Sequence, residues 1–212
     1  MSKPNSLKVW EPKEMPESNN KAVIRRQLRE KLDAMSEADR HQKSSAACAM
    51  VASSPEFAAA STIMLYLSSP TEVDTTSLAL RGWQAGKTIC VPRVFMHDKR
   101  MLPVEISSLT SSMTTSTLGI REPVGGKPVP VQFIDLVIVP GLGFSPSGYR
   151  IGRGMGFYDR FLAQQDFLGL SCGLAFDEQI VAQLPVLDHD MPLSMLVTDR
   201  GIRRFASNCI NK

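Results

Sequence analysis

Residues 62–92, TIMLYLSSPTEVDTTSLALRGWQAGKTICVP, decide the fold class. Thr62–Leu67 is a short apolar run of strand type, and Lys87–Pro92 (KTICVP) is a second. Between them the polar loop Ser68–Thr71 leads through Glu72-Val73-Asp74-Thr75 into a helix predicted over Ser77–Ala85. Asp74 or Thr75 can cap its start, and Gly86 stops it. Strand, helix and strand in that order make a βαβ unit, with parallel strands and a right-handed crossover.

Upstream of this unit, Ile24, Leu28, Leu32 and Met35 recur at helical spacing and form one apolar stripe. Ser36, with Asp39 three residues on, caps a second helix through about Val51. Ser53-Ser54-Pro55 punctuates the chain, and Glu56–Ala60 adds a short helical turn. Downstream, a hairpin is predicted around Met96–Arg100, with Met101–Ile106 returning as a strand and Ser107–Thr117 as a Ser/Thr surface loop. Ile134–Pro140 (IDLVIVP) is a buried strand. Phe157–Gln165 reads as helix, Gly169–Phe176 as strand, Glu178–Leu184 as a short helix and Met195–Thr198 as a last strand. No internal repeat is present. The expected architecture is a single three-layer Rossmann-like α/β domain over residues 20–205, with a mostly parallel central sheet and an N-terminal helical segment. Residues 1–19 are expected to be a flexible extension and 206–212 a tail. In such folds the site lies on loops at the C-terminal ends of strands.

Composition narrows the classes. A chain of 212 residues with 43% hydrophobic and 21% charged residues is an ordinary globular protein with one sizeable core. A net charge of +3 is too weak a field to argue for nucleic acid. The basic residues cluster near Lys21–Lys31 and Arg150–Arg160, which suits a local anion site better than a DNA-binding face. Cys48, Cys90, Cys172 and Cys209 are far apart and form no C-x-x-C pair, pointing to a reducing compartment and hence the cytoplasm. No apolar run approaches the length of a membrane span. The first twenty residues mix lysines, glutamates and three prolines, and are neither a signal peptide nor a transit peptide.

The densest chemical signal is Pro140-Gly141-Leu142-Gly143-Phe144, followed by residues 148–159, GYRIGRGMGFYD. Gly152, Gly154 and Gly156 let the backbone approach a ligand and turn its amides toward an anion. Arg150 and Arg153 add forked donors suited to phosphate oxygens. A helix starting near Phe157 points its positive end at the same place. Asp159 supplies a hard carboxylate oxygen of the kind magnesium takes when it also bridges phosphates. Three alternate glycines alone favour a plain turn. The two arginines, Phe157-Tyr158 and Asp159 reverse that weighting toward a nucleotide-phosphate site. It is not a Walker A loop, for no Gly-Lys-Ser/Thr follows the glycines. Gly143-Phe144-Ser145-Pro146-Ser147 lacks the second glycine of a serine-hydrolase elbow.

Other residues have blander readings when taken alone. Lys21, Arg25 and Arg29 line one side of the first helix, as many solvated faces do. Glu72 suits a helix start. Asp188-His189-Asp190 is either a small metal cluster or a polar turn. Asp135 is expected at a strand edge, and His97 in the hairpin turn has no assigned role.

Side by side, these pieces resemble the 5-formyltetrahydrofolate cyclo-ligase family, also called methenyltetrahydrofolate synthetases. The resemblance runs from Lys21 to about Thr198. It rests on Lys21 and Arg25, on Leu65-Tyr66-Leu67 with Glu72-Val73-Asp74-Thr75, on Gly86-Lys87 with Val91-Pro92, and on Gly119-Ile120 with Glu122-Pro123. Above all it rests on the ordered block from Asp135-Leu136-Val137 through Pro140-Gly141 and Gly148-Tyr149-Arg150-Ile151-Gly152 to Gly156-Phe157-Tyr158-Asp159-Arg160.

The resemblance implies an enzyme that uses ATP and magnesium to convert 5-formyltetrahydrofolate to 5,10-methenyltetrahydrofolate, releasing ADP and phosphate. It implies that Lys21, Arg25, Arg150, Gly152, Arg153, Gly154, Met155, Gly156, Phe157 and Tyr158 meet ATP. It places Leu67, Glu72, Arg153, Gly154, Met155, Gly156 and Phe157 at the folate, with Arg153 and Arg150 catalytic and Asp159 and Asp190 holding Mg2+. Partners are then small molecules, with neither nucleic acid nor membrane, and a monomer is expected. Three positions depart from the family pattern: Met155 stands where Gly or Lys is usual, Phe157 replaces a frequent Tyr, and Leu118 stands where some members carry an aromatic residue. A non-catalytic folate- or nucleotide-binding protein of the same fold is the alternative, disfavoured by the intact pair Arg153 and Asp159. A nucleic-acid-binding domain lacks the interleaved aromatics such a surface needs.

Overall fold

The computed structural model describes residues 20–109, 113–115 and 121–205. Residues 1–19 and 206–212, and with them the expected extension, the tail and Cys209, lie outside the described residues, as do Leu118 and Gly119-Ile120.

Helix α1 (Lys21–Asp33) starts where the Asn20 side chain accepts from the Ala22 amide, and it buries Ile24, Leu28 and Leu32. Each of those side chains contributes roughly 1.5–3 kcal/mol through burial. Helix α2 (Glu37–Ala52) is capped as expected by the Ser36 hydroxyl, which accepts from the Asp39 amide. A short helix α3 (Pro55–Ala59) follows, capped by Ser54. Strand β1 (Thr62–Met64) is shorter than the apolar run that predicts it. The Leu65 amide still donates to the Cys90 carbonyl, but the Tyr66 carbonyl is taken by the Thr75 hydroxyl, so the ladder stops there. Helix α4 (Thr76–Gln84) then begins with the Asp74 carboxylate accepting from the Thr76 amide. It ends before Gly86, whose φ of 71° lies in the left-handed region.

Strands β2 (Thr88–Phe95) and β3 (Arg100–Glu105) form the expected antiparallel hairpin. The segment expected as a surface loop contains a strand, β4 (Met113–Thr115), paired with β5 (Arg121–Pro123). The β-branched Thr114 suits that pairing, which the Ser/Thr content had masked. Strand β6 (Leu136–Val139) is buried throughout. The hairpin of β7 (Gly143–Phe144) and β8 (Arg150–Ile151) follows, then helix α5 (Phe157–Leu162), shorter than the helix predicted to Gln165. Strands β9 (Leu170–Leu174), β10 (Met195–Val197) and β11 (Ile202–Arg204) complete the chain. The expected helix at Glu178–Leu184 is instead a single 3-10 turn, Asp177–Gln179. Tertiary pairing overrides helix propensity here: the Val181 amide donates to Phe144, and the Gln179 side chain turns inward to Gly141 and Leu142.

The main sheet has the order β11-β10-β9-β6-β1-β2-β3. Its five inner strands are parallel, and β3 and β11 run antiparallel at the two edges. Alternate residues of the inner strands feed two cores. Ile63, Leu136, Ile138 and Leu174 pack with α1, α2 and α4, whereas Met64, Val137, Val139 and Leu196 pack with Phe161 and Leu162 of α5. Helices therefore cover both faces, giving the three-layer α/β architecture. The chain leaves β1 toward β2 through α4 on one face, and leaves β6 toward β9 through α5 on the other. The adjacent strands β1 and β6 thus form the topological switch point, where a crevice opens at their C-terminal ends.

Candidate active site

Two loops leave this crevice. After β1 come Tyr66, Leu67, Ser69 and Glu72, and after β6 come the β7–β8 hairpin and the glycine loop at 152–156. Tyr66 is buried and anchors the first loop, its hydroxyl donating to the Val73 carbonyl at 2.8 Å. Leu67 is half-buried and packs on the core beside it. The Glu72 carboxylate folds back to accept from the Ser69 amide at 2.9 Å, which fixes its direction.

Arg153, on the glycine loop, reaches this first loop. Its guanidinium donates to the Ser69 hydroxyl at 2.8 Å and to Glu72 at 3.2 Å. The side chain remains half-exposed. Gly154 and Gly156 have φ of 103° and 68°, so the loop turns through left-handed conformations that Met155 between them does not adopt. Arg160 closes the loop from below by donating to the Met155 carbonyl at 2.9 Å.

Helix α1 supplies the third wall. The Arg25 Nε donates to the Gly152 carbonyl at 2.9 Å, and its guanidinium lies against Gly154. Lys21 donates to Asp190 at 2.6 Å. Arg29, expected to continue the row, is exposed. Asp190 also accepts from the Leu187 amide at 2.8 Å. Burial alone would raise the Asp190 carboxyl, but the Lys21 ammonium and that amide override it and hold it below the ordinary carboxylate value.

Arg150 is placed differently from the exposed phosphate donor that the sequence suggests. Pairing in β8 turns its side chain inward, where it is 5% exposed and bonds Asp159 at 2.8 Å and the Met191 carbonyl at 3.1 Å. Burial draws its guanidinium below the usual arginine value, with Asp159 opposing the shift. Phe157 and Tyr158 are half-buried against the core at the start of α5. The helix has only six residues, so its dipole adds little at the crevice.

Three cation–carboxylate pairs therefore hold the crevice: Lys21–Asp190 and Arg153–Glu72 join distant segments, and Arg150–Asp159 closes the glycine loop. Cations from α1 and the loop converge on one crevice with small, turned backbone between them. Among the described residues no group of three or more His, Cys, Asp or Glu could by itself hold a metal ion. Asp135, expected at a strand edge, accepts from the Ser61 and Thr62 amides and sets the start of β1. His97 is exposed in the β2–β3 turn. Cys48, Cys90 and Cys172 are free and buried, and burial pushes Cys48 up to about 11 and Cys90 up to about 12. Such thiols are poor nucleophiles. Sequence reasoning missed Ser69 and the supporting Gln179, and it placed Arg160 in the basic cluster without its role in closing the loop. A serine on the loop after a central strand is a signal only once the switch point is known.

The model of the 5-formyltetrahydrofolate cyclo-ligase family matches residues 17–199. The chain belongs to the 5-formyltetrahydrofolate cyclo-ligase family. Among curated members, the Mus musculus 5-formyltetrahydrofolate cyclo-ligase is 30% identical over 181 residues, covering 81% of this chain and 89% of that protein. The Escherichia coli (strain K12) 5-formyltetrahydrofolate cyclo-ligase is 34% identical over 147 residues, covering 68% and 81%. The solved structure of Aquifex aeolicus 5,10-methenyltetrahydrofolate synthetase superposes with a TM-score of 0.77 at 31% identity, over 89% of this chain and 94% of that one. The α/β fold and the membership expected from the sequence are thus both found. The three cation–carboxylate pairs of the crevice fall within the span matched to the cyclo-ligase family.

Proposed function

We propose that the chain catalyses ATP-dependent conversion of 5-formyltetrahydrofolate to 5,10-methenyltetrahydrofolate. The observation that carries this is the reach of Arg153 from the glycine loop to Glu72 across the β1–β6 crevice. It ties a phosphate-type loop to the loop assigned to the folate. Within the crevice, Lys21, Arg25, Gly152, Arg153, Gly154, Met155, Gly156, Phe157 and Tyr158 take the nucleotide. Leu67, Glu72 and the loop from Arg153 to Phe157 take the folate, with the Glu72 carboxylate accepting from the pterin.

The formyl oxygen attacks the γ-phosphorus of ATP, the bond to ADP breaks, and ADP leaves. The neighbouring folate nitrogen then adds to the activated formyl carbon and loses its proton. The carbon–oxygen bond breaks, and phosphate carries away the former formyl oxygen. An amide-type oxygen is a poor leaving group until phosphorylated, so the site's task is positioning and charge stabilisation. Arg153 is the catalytic residue in this reading: its side chain is half-exposed, and in the reaction it leaves Glu72 to meet the transferring phosphoryl group. Arg150 is a positioning residue that holds Asp159.

The carboxylates suit magnesium rather than a softer metal, being hard oxygen donors without a sulfur or imidazole cluster. Asp159 and Asp190 would hold it, and the ion would neutralise phosphate charge during transfer. The proposed partners are small molecules, bound by a monomer. Free, buried cysteines support a cytoplasmic setting, and no helix among the described residues is long and apolar enough to cross a membrane.

The test is to mix purified protein, ATP, magnesium and 5-formyltetrahydrofolate and follow methenyl absorbance and ADP together. Both are expected to appear at equal rates. Absence of the chromophore under saturating conditions overturns the reading.

A further inference from the structure

Ser69 touches both of the residues on which the proposed reaction turns, Arg153 and Glu72. We propose that Ser69 is a positioning residue that couples the two halves of the crevice, so that nucleotide and folate each favour binding of the other. The inference rests on the functional reading above, which gives Arg153 to the phosphoryl group and Glu72 to the pterin.

The backbone of Ser69 is fixed first. Residues 69–72, Ser-Pro-Thr-Glu, form a turn in which the Ser69 carbonyl accepts from the Glu72 amide at 3.0 Å. Pro70 follows Ser69 at the position where its locked φ suits such a turn. The Ser69 amide donates back to the Glu72 carboxylate at 2.9 Å. Both backbone groups of Ser69 thus hold Glu72, and the hydroxyl is left to face the glycine loop. That hydroxyl accepts from Arg153 Nη2 at 2.8 Å, and the same nitrogen donates to Glu72 Oε1 at 3.2 Å. One guanidinium nitrogen is therefore shared by the serine and the carboxylate.

The two ends of this contact differ in freedom. The Glu72 side chain is 18% exposed and tied to the Ser69 amide, whereas that of Arg153 is 50% exposed. When the contact opens, the arginine moves and the carboxylate stays. A guanidinium nitrogen held by Ser69 and Glu72 is not available to a phosphoryl group, and a pterin taking Glu72 Oε1 competes with it. Nucleotide and folate therefore break the same contact. Whichever binds first breaks it for both, and a coupling of that kind is equal in the two directions. The contact is a half-exposed ion pair with one added hydrogen bond, so the coupling should be about five-fold.

Calorimetric titration with β,γ-imido-ATP and magnesium, with and without saturating 5-formyltetrahydrofolate, measures the coupling without turnover. Each ligand should bind about five-fold more tightly when the other is present. ADP, which has no γ-phosphoryl group to draw Arg153 away, should show no such gain. Ser69→Ala keeps the turn and removes the hydroxyl. Each ligand alone should then bind about two-fold more tightly, and the coupling should fall toward one. Ser69→Thr keeps a hydroxyl and should keep the wild-type coupling. No coupling in the wild type, an equal gain with ADP, or an undiminished gain in Ser69→Ala overturns the proposal. So does weaker binding of either ligand alone to Ser69→Ala, which would make the hydroxyl an ordinary ligand contact. A wild type that forms methenyl product without coupling sinks this proposal alone, and one that binds neither ligand sinks the functional reading with it.

Discussion

Arg150 and Asp159 bracket the glycine loop and are joined by a 2.8 Å ion pair that closes it like a clasp. Met191 ties the same knot from a third segment, its carbonyl accepting from Arg150 and its amide donating to Asp159 at 3.2 Å. Arg150→Met should therefore leave a half-buried carboxylate without its cation. The expected loss in urea unfolding is on the order of 3 kcal/mol. Arg150→Lys should recover only part of it, because one ammonium cannot reproduce the guanidinium fork to Asp159 and Met191. A loss within error of zero for Arg150→Met would show that the clasp is dispensable.

Arg153 behaves oppositely, since its side chain is 50% exposed and its pairing with Glu72 is screened by water. Arg153→Ala should change the unfolding midpoint little, as exposed pairs are worth at most about 1 kcal/mol. Turnover should nevertheless fall by far more than about ten-fold, the scale of losing a charge aimed at a transferring phosphoryl group. Near-normal turnover in the methenyl assay would remove Arg153 from the chemistry.

The contrast between these two arginines shows what the sequence could convey. Both appear in one glycine-rich block as equivalent phosphate donors. Only the two-residue strand β8 turns Arg150 inward and leaves Arg153 outside, and strands that short carry no periodic signal. The long features were legible: the stripe at Ile24, Leu28 and Leu32, the Ser36 cap, the βαβ unit and the buried strand at β6. Strand β11 was not, because Ile202-Arg203-Arg204 has one apolar residue, and its edge position depends on pairing with β10. The helix expected at Glu178–Leu184 failed for a related reason. Its residues satisfy Phe144, Gly141 and Leu142 across the fold, which no local pattern reports. Of the site, the residues were legible but their partners were not, since Lys21–Asp190 and Arg153–Glu72 join segments far apart in the chain and Arg150–Asp159 depends on the turn between them.

Glu178 offers a pH-dependent check on the packing of α1 and α2. Its carboxylate pairs with Lys43 of α2, and its carbonyl accepts from Lys31 of α1. Burial would raise the carboxyl, but the Lys43 hydrogen bond outweighs it and the folded-state value lies below the ordinary one. A depressed carboxyl contributes stability above its unfolded value, about 4.3, and loses it as pH falls through the folded value. Lys43→Met should cost roughly 1–2 kcal/mol at pH 7 by leaving the carboxylate half-buried and unpaired. The gap between variant and wild type in thermal unfolding should narrow as pH drops below about 4. A pH-independent gap would mean that Lys43 acts through packing of its stem, not its charge.

Tyr158 separates stability from binding by sign. Its hydroxyl is buried and has no hydrogen-bond partner among the described residues. Burial first, and the Glu72 charge next, push the phenol well above its ordinary value, so it stays neutral. An unpaired buried hydroxyl costs about 1–3 kcal/mol in desolvation, and Tyr158→Phe removes it. The ligand-free variant should therefore unfold at an equal or higher temperature than wild type. If the hydroxyl is held in reserve for the nucleotide, the same change should raise KM for ATP by about ten-fold, the scale of one hydrogen bond to a charged group. A variant that is more stable and binds ATP equally well would assign Tyr158 to the core alone. Lower stability in the ligand-free protein would mean that the hydroxyl has a protein partner after all.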